Sequence, residues 1–461
     1  MHRSTRRLLG AVALIVILAS CGGGGATVTT GSSAPSATGE VPSTSTAGVI
    51  DVASAGDVVL NVAMSDIPPR LAIIEQRIDE FEAEYPNVTV NVTARDFGTH
   101  VLQVKLALEG DDAPDIASGD IGWSLSGPLV QAGLIRDLTP WMAAYGWDTR
   151  YPEAAYKQFS FTEDGNTFGS GQVFGLPYAA DVMGWFYNKE KLAALGAEVP
   201  ETLADFEALL ATAKEAGEVP LMIGNKEGWA AQGVYNILAA TTAPIEQVEG
   251  LVYGDESVNY TDQVFVDTMA TLQDWANSGY LPEDVISLSS DDAQARFLQG
   301  EGLLFQCGTW CIPTFNDAMG ENVGFFLTPP VVAGDPSRSV GSFGLQLHLG
   351  AKSENPDVAA ALLDWLTNED TAAALAAIGD IPAIASDTPP SAASPLTLAG
   401  YEGFAEAVDA GGLLPYLAWA SPNYFEVDFP VFQELLADRI TPQEAAETIE
   451  ENRDAFLESN A

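Results

Sequence analysis

From about Asp57 onward the chain alternates between two hydrophobic periods. Val58 to Met64 carries the apolar run of a strand and ends in a polar tip, Ser65-Asp66. Pro68 and Pro69 then open a helix in which Leu71, Ile74, Ile78 and Phe81 recur at steps of three and four. Pro86-Asn87 stops it, Val88 to Thr93 alternates as a second strand, and a helix is expected over about His100 to Glu109. Ala113-Pro-Asp-Ile-Ala-Ser leads into a third strand. A β-α-β-α-β order argues a mostly parallel sheet with helices on both faces, and such sheets gather ligands at the carboxyl ends of their strands. That rim would hold Asp66, Asp96, Asp120 and Trp123.

Farther along, Gly127 to Trp141 reads as a helix, a glycine stop and a short extended piece. Gln172 to Leu176 is expected as a strand, broken at Pro177, and Val182 to Tyr187 as another. Asn188 can cap the helix that follows by accepting from its first-turn amides. The corner between these strands carries Tyr178, Asp181 and Trp185 and suits a chain passing from one lobe to another. Pro200-Glu-Thr-Leu starts a helix with Phe206, Leu209 and Leu210 on its buried side. Pro220 to Ile223 is a strand delivering Asn225, Lys226 and Trp229 to a rim. Residues 291–310 read as a helix, a Gly300-Glu-Gly302 turn and a buried strand running to Gly308-Thr309-Trp310. Val340 to Leu349 is expected as one strand crossing between lobes, and the remainder as helical.

Several of these stretches resemble the extracellular solute-binding proteins of ABC importers, in the carbohydrate-binding branch similar to maltose-binding protein. The resemblance rests on Gly175-Leu-Pro-Tyr178, Tyr187-Asn-Lys189, Ala132-Gly-Leu with its following Asp-Leu, the Gly300–Gly302 turn and Gly308-Thr-Trp310, which occur in the family's order. It implies two α/β lobes, each a mostly parallel sheet flanked by helices, joined by three crossovers and closing on a ligand. The expected division is residues 57–180 and 287–347 in the first lobe, 181–286 and 348–461 in the second. Within that frame the ligand contacts would be Asp66, Asp120, Trp123, Tyr178, Asp181, Asn225, Trp229, Trp310, Trp419 and Tyr424. Trp123 and Trp310 would come from the first lobe and Trp229 from the second. The implied function is capture of a neutral sugar or oligosaccharide and delivery to the permease subunits, by a monomer that needs no cofactor and does no chemistry.

The N-terminus adds a destination. Arg3, Arg6 and Arg7 precede an apolar run from Leu8 to Ala19, shorter than a spanning helix requires, so residues 1–20 read as an export signal. Leu18-Ala19-Ser20-Cys21 resembles the lipobox of bacterial lipoproteins, which would make Cys21 an acylated anchor on the outer face of the cytoplasmic membrane. Residues 21–56, rich in Gly, Ser, Thr, Ala and Pro, have too little apolar surface to fold and read as a flexible tether.

Composition narrows the partners. With 19 Lys and Arg against 64 Asp and Glu the net charge is −45, which repels nucleic acid and anionic membrane surfaces. Of three cysteines, Cys307 and Cys311 remain after Cys21. An oxidising compartment permits a bridge between them, with two buried thiols as the alternative. Two sulfurs and three scattered histidines do not make a metal site.

Sugars present apolar C–H faces edged by hydroxyls, so a receptor needs flat rings and fixed polar groups. Trp141, Trp147, Trp275 and Trp365 lie in helical patterns and are assigned to packing, whereas Trp123, Trp229 and Trp310 lie just past strand ends. Asp66, Asp120 and Asp181 can accept hydroxyl hydrogens, although caps and turns use Asp in the same way. Asn225 and Gln306 can both donate and accept. Two alternatives stay open: a receptor for a cationic or quaternary amine held in an aromatic cage, and a secreted glycoside hydrolase with paired carboxylates.

Overall fold

The computed structural model describes residues 48–384 and 388–460. The signal segment, Cys21 and most of the proposed tether lie outside the described residues. Thirteen strands are present among them: β1 (Val58–Met64), β2 (Val88–Ala94), β3 (Ile116–Gly119), β4 (Ser160–Phe161), β5 (Gln172–Val173), β6 (Leu176–Pro177), β7 (Asp181–Asn188), β8 (Leu221–Met222), β9 (Leu304–Gly308), β10 (Val323–Phe326), β11 (Ser339–Ser342), β12 (Gln346–Leu349) and β13 (Leu413–Leu414).

They form two principal sheets, ordered β2-β1-β3-β12-β6 and β13-β11-β7-β9-β8, with β10 also paired to β7; β4 and β5 make a separate hairpin. The first sheet starts as the apolar pattern requires, with β1 parallel to both β2 and β3. Parallel pairing ends there, since β12 runs antiparallel to β3 and to β6. The second sheet is mixed, with β7 antiparallel to β9, β10 and β11. Helices cover both sheets, giving two α/β lobes.

Local chemistry explains most element ends. The Pro68–Glu84 helix begins on its proline pair, and Ile74, Ile78 and Phe81 are buried as their spacing demands. Arg70 and Arg77 are buried on it as well, which the apolar spacing did not signal. Asn188 accepts from the Lys191 amide and caps the Lys189–Ala194 helix. Thr202 and Ser289 cap the Leu203–Glu215 and Ser290–Leu298 helices in the same way.

Three crossings join the lobes. The chain leaves the first sheet after β6 and enters the second at β7, so Tyr178 to Ala180 form the first crossing. It returns between β11 and β12. The expected single strand Val340 to Leu349 is therefore two strands in different sheets, broken where Gly344 turns with φ +63°. A Cβ at Gly344 would lie 2.8 Å from the Ala179 carbonyl oxygen, so the two crossings pack backbone to backbone. The last passage runs through Asp380 to Ala383 and is hydrogen-bonded to the first, Ala180 N to Ile381 O at 2.8 Å and Ala383 N to Tyr178 O at 3.0 Å.

These pairings correct the expected lobe boundaries. Residues 287–347 were assigned to the first lobe, but β9, β10 and β11 all pair with β7 and belong to the second. The apolar run Leu303 to Phe305 fills the slot between β7 and β8, where both its faces are covered. Residues 348–461 were assigned to the second lobe, yet the chain from β12 to about Ala383 packs on the first. Trp365 Nε1 donates to the Arg77 carbonyl at 2.8 Å and Arg77 Nε to Thr371 Oγ1 at 3.1 Å. The chain rejoins the second lobe with the Pro395–Asp409 helix, which packs on β7 and β10.

Two further expectations change. Gln172 to Leu176 is not one strand, because β5 pairs with β4 and β6 with β12. The fold also begins earlier than Asp57, with Val52 buried and its carbonyl accepting from Asn87 Nδ2 at 2.9 Å.

Candidate ligand-binding site

The carboxyl ends of strands from both sheets converge on the three crossings. From the first lobe come the tip of β1, with Ser65 and Asp66, and the turn after β3, with Asp120 and Trp123. From the second come Asn225 after β8, Trp310 after β9 and the loop holding Trp419 and Tyr424.

Asp66, Tyr178 and Asp181 are brought together around Arg70, which the sequence reading did not include. The Arg70 guanidinium donates to both oxygens of Asp181, at 2.6 and 3.3 Å, and to both oxygens of Asp380, one of them at 2.8 Å. Asp66 lies 4.0 Å from the same guanidinium and accepts from the Tyr178 hydroxyl and from the Ile67 amide at 2.7 Å. Burial pushes the Asp66 carboxyl up to about 6, opposed chiefly by the charge of Arg70. The cluster ties the first helix of the first lobe to the first and last crossings. Its one trace in sequence is the i, i+4 spacing of Asp66 and Arg70, since Asp380 lies 310 residues from Arg70.

Asp120 joins the lobes by another route. Its carboxylate accepts from the Ile121 amide and Ser124 Oγ, each at 2.9 Å, and from the Tyr424 hydroxyl of the second lobe at 3.3 Å. Burial raises its pKa, against these hydrogen bonds. Tyr416 feels the charge of both groups. Its hydroxyl is pushed well above the usual tyrosine range by burial, then by the charges of Asp181 and Asp120.

The tryptophans divide differently from expectation. Trp123 is buried rather than a free platform: Phe161 meets it edge-on at 5.3 Å and Phe456 at 4.8 Å. Trp419 is also buried, against Gly122 and 5.1 Å from Tyr416. Trp229 and Trp310 keep part of their surface open, and both belong to the second lobe, which corrects the placement of Trp310 in the first. Trp310 folds back over Gly308 so closely that a Cβ there would lie 1.9 Å from its ring. Cys307 and Cys311 are joined across this turn, S–S 2.05 Å.

Trp229 opens the Trp229–Thr242 helix beside Tyr424, Phe425 and Phe429. Tyr424 lies 4.2 Å from Phe425 and 5.1 Å from Phe429 between ring centroids. The first lobe answers with Phe97, 39% exposed and 6.4 Å from Phe425. Phe97 and Phe425 were also missed, because neither stands at the end of a recognisable strand. Asn225 is buried behind the wall. Its Oδ1 accepts from the Ala231 amide at 3.0 Å, while its Nδ2 has no partner. Trp185 is a core residue whose Nε1 donates to Thr328 Oγ1 at 2.9 Å. Trp141, Trp147 and Trp365 likewise spend their N–H groups within the fold.

Two α/β lobes, three crossings and a rim of rings and carboxylates drawn from both sides define a hinged binding protein. Residues 65–373 match the family model of bacterial extracellular solute-binding proteins, and the chain belongs to that family. It is 26% identical over 302 residues to the multiple sugar-binding protein of Streptococcus mutans, covering 64% of this chain and 68% of that one. Its fold is similar to that of a chitin oligosaccharide binding protein (TM-score 0.76, 23% identity, 87% of this chain and 99% of that one). It is also similar to the solute-binding protein RafE in complex with raffinose (TM-score 0.68, 22% identity, 87% and 99%). Among the described residues no helix is long and apolar enough to cross a membrane.

Proposed function

We propose that this protein captures a neutral sugar or oligosaccharide between its lobes outside the cell and delivers it to the transmembrane subunits of an ABC importer. No bond in the ligand is made or broken. The observation that carries this reading is the pairing of aromatic surface from both lobes, Phe97 against Phe425 beside Trp229, with an interlobe carboxylate–hydroxyl contact, Asp120 to Tyr424. Rings suit the C–H faces of pyranoses and the carboxylates suit their hydroxyls. The names of the multiple sugar-binding protein and of the raffinose-bound RafE lend support. Arg70, deep in the rim, is already held by carboxylates and offers little to an anionic ligand. The chain would act as a monomer, tethered through a lipid on Cys21.

A thermal-shift screen tests the ligand class. A saccharide at 100 times its Kd should add about 2.7 kcal/mol of stability. Stabilisation by betaines or polyamines instead, weakening with salt, would replace this reading with the amine-receptor one. Release of reducing sugar from oligosaccharides would replace it with the hydrolase one.

A further inference from the structure

Behind the Trp229–Tyr424–Phe425–Phe429 wall lies a carboxyl that the site described so far does not use. Asp428 is the first residue of the Asp428–Leu436 helix and is 3% exposed. Its Oδ1 is buried and has no hydrogen-bond partner. The hydroxyl of Tyr235, 1% exposed on the Trp229–Thr242 helix, is equally without one. The Tyr235 ring packs 5.2 Å from Phe432, one turn along from Asp428. The Asp428–Leu436 helix packs directly on the Trp229–Thr242 helix, and the carboxyl acts electrostatically on the hydroxyls of Tyr235, Tyr260 and Tyr424. Tyr260 is committed to the Leu417 carbonyl at 2.9 Å and Tyr424 to Asp120. Asp428 and Tyr235 are the two that remain.

Buried polar atoms are almost always hydrogen-bonded, and a carboxyl and a hydroxyl left together behind an aromatic wall call for a third party. We propose that Asp428 and Tyr235 form a polar subsite in the second lobe that takes a hydroxyl group of the bound sugar inserted past the wall. The proposal rests on the carbohydrate reading. Phe429, next to Asp428, is part of the wall, and its amide donates to the Tyr424 carbonyl at 3.1 Å, so the wall and the subsite are one unit. A sugar hydroxyl would donate to the carboxylate and accept from Tyr235, satisfying both.

The chemistry supplies its own signature. Burial pushes Asp428 up to about 8, so the ligand-free protein holds it protonated at neutral pH. The groups facing it are the hydroxyls of Tyr235, Tyr260 and Tyr424. Of the other charges acting on those tyrosines, Glu450 and Arg453 of the Pro442–Asn460 helix pair with each other at 3.1 Å beside Tyr235 and Tyr260, and Asp120 and Glu426 act on Tyr424. A donated sugar hydroxyl favours the charged carboxylate, so binding at pH 7 should drive the proton off Asp428 into the buffer, about one per ligand.

The test is isothermal titration of maltotriose, raffinose and N,N'-diacetylchitobiose in phosphate and in Tris, whose ionisation enthalpies differ. Wild type should release a proton with the sugar it binds. Asp428→Asn should bind that sugar at least tenfold more weakly with no proton release, and Tyr235→Phe should weaken it about tenfold while keeping part of the release. Affinities within twofold of wild type in both variants would overturn the proposal and assign the neighbourhood to a buried water. Weakening without any proton release from wild type would also overturn it, because a purely structural acid would behave that way. If no saccharide binds wild type, in this titration or in the thermal-shift screen, the carbohydrate reading itself fails and the subsite falls with it.

Discussion

Replacing Arg70 by Met should destabilise the protein severely, for a reason that the geometry makes quantitative. The guanidinium is buried and accepted by Asp181 at 2.6 Å and Asp380 at 2.8 Å, both buried in turn. Methionine fills much of the same volume but leaves Asp181 and Asp380 without a cation and takes from Asp66 the charge that offsets its burial. Breaking a buried ion pair from one side costs about 3–5 kcal/mol, because the surviving charge keeps its desolvation penalty. With two acids stranded, the upper end of that range is expected. The assay is urea denaturation at pH 7, comparing Arg70→Met with Arg70→Met/Asp380→Asn. The double variant should recover a large part of the loss, since it removes one of the uncompensated charges. A pH series adds a second check. Burial already raises the Asp380 carboxyl against the charge of Arg70, and once Arg70 is gone that opposition is lost, so the folded form takes up a proton that the unfolded form releases. The variant's deficit should therefore shrink as pH falls toward 4 and grow as it rises. A deficit below about 1 kcal/mol, or one independent of pH and of Asp380→Asn, would refute the claim that Arg70 holds the crossings through charge.

Four further outcomes are expected. Trp229→Ala and Trp310→Ala should each weaken sugar binding by about 2–4 kcal/mol, roughly 30- to 1,000-fold in Kd by titration calorimetry. Trp365→Ala, whose indole packs on Phe81 and under Arg77, should cost about 3 kcal/mol of stability and leave the affinity of the folded fraction unchanged. In denaturant, Cys307 and Cys311 should resist thiol labelling until reduced, and breaking the bridge should cost about 2 kcal/mol at most because the loop is short. Asp428→Asn should stabilise the ligand-free protein at neutral pH: the native acid contributes fully below about pH 4 and loses that contribution as pH rises through about 8, so the gain grows to about 4 kcal/mol at pH 7 and vanishes near pH 4.

Much of the fold was legible because local periodicity and end signals specify elements directly. The run Val58–Met64, the proline start of the Pro68–Glu84 helix and the Asn188 cap are properties of neighbouring residues, and all three formed where their sequences say. Order alone supported an α/β chain, and the division into two lobes came from the resemblance. What order could not settle was which sheet a strand joins. The strands β9 and β10 are apolar enough for either lobe and β11 (Ser-Val-Gly-Ser) signals neither, so only pairing with β7 decided it, since a buried strand goes wherever both its faces are covered. That one ambiguity displaced the lobe boundaries and, with them, Trp310.

The site divided along the same line. Asp66, Asp120 and Trp229 could be nominated because polar and aromatic residues past strand ends stand out in a sequence, and Tyr424 because its loop matches one the resemblance places at the cleft. Whether a ring stays open is a matter of what folds onto it. Phe456, over 330 residues away in the chain, covers Trp123, and nothing near Trp123 records this. Arg70 and Asp428 lay hidden for a related reason. Each sits in an ordinary helical first turn, where charge usually means solvent or a cap. It took the tertiary structure to bury one among three carboxylates and the other with a carboxyl oxygen left unpartnered. Local sequence fixes backbone form through short-range sterics and hydrogen bonds, whereas desolvation is set by residues from the whole chain, and the chemistry of this site is mainly a consequence of desolvation.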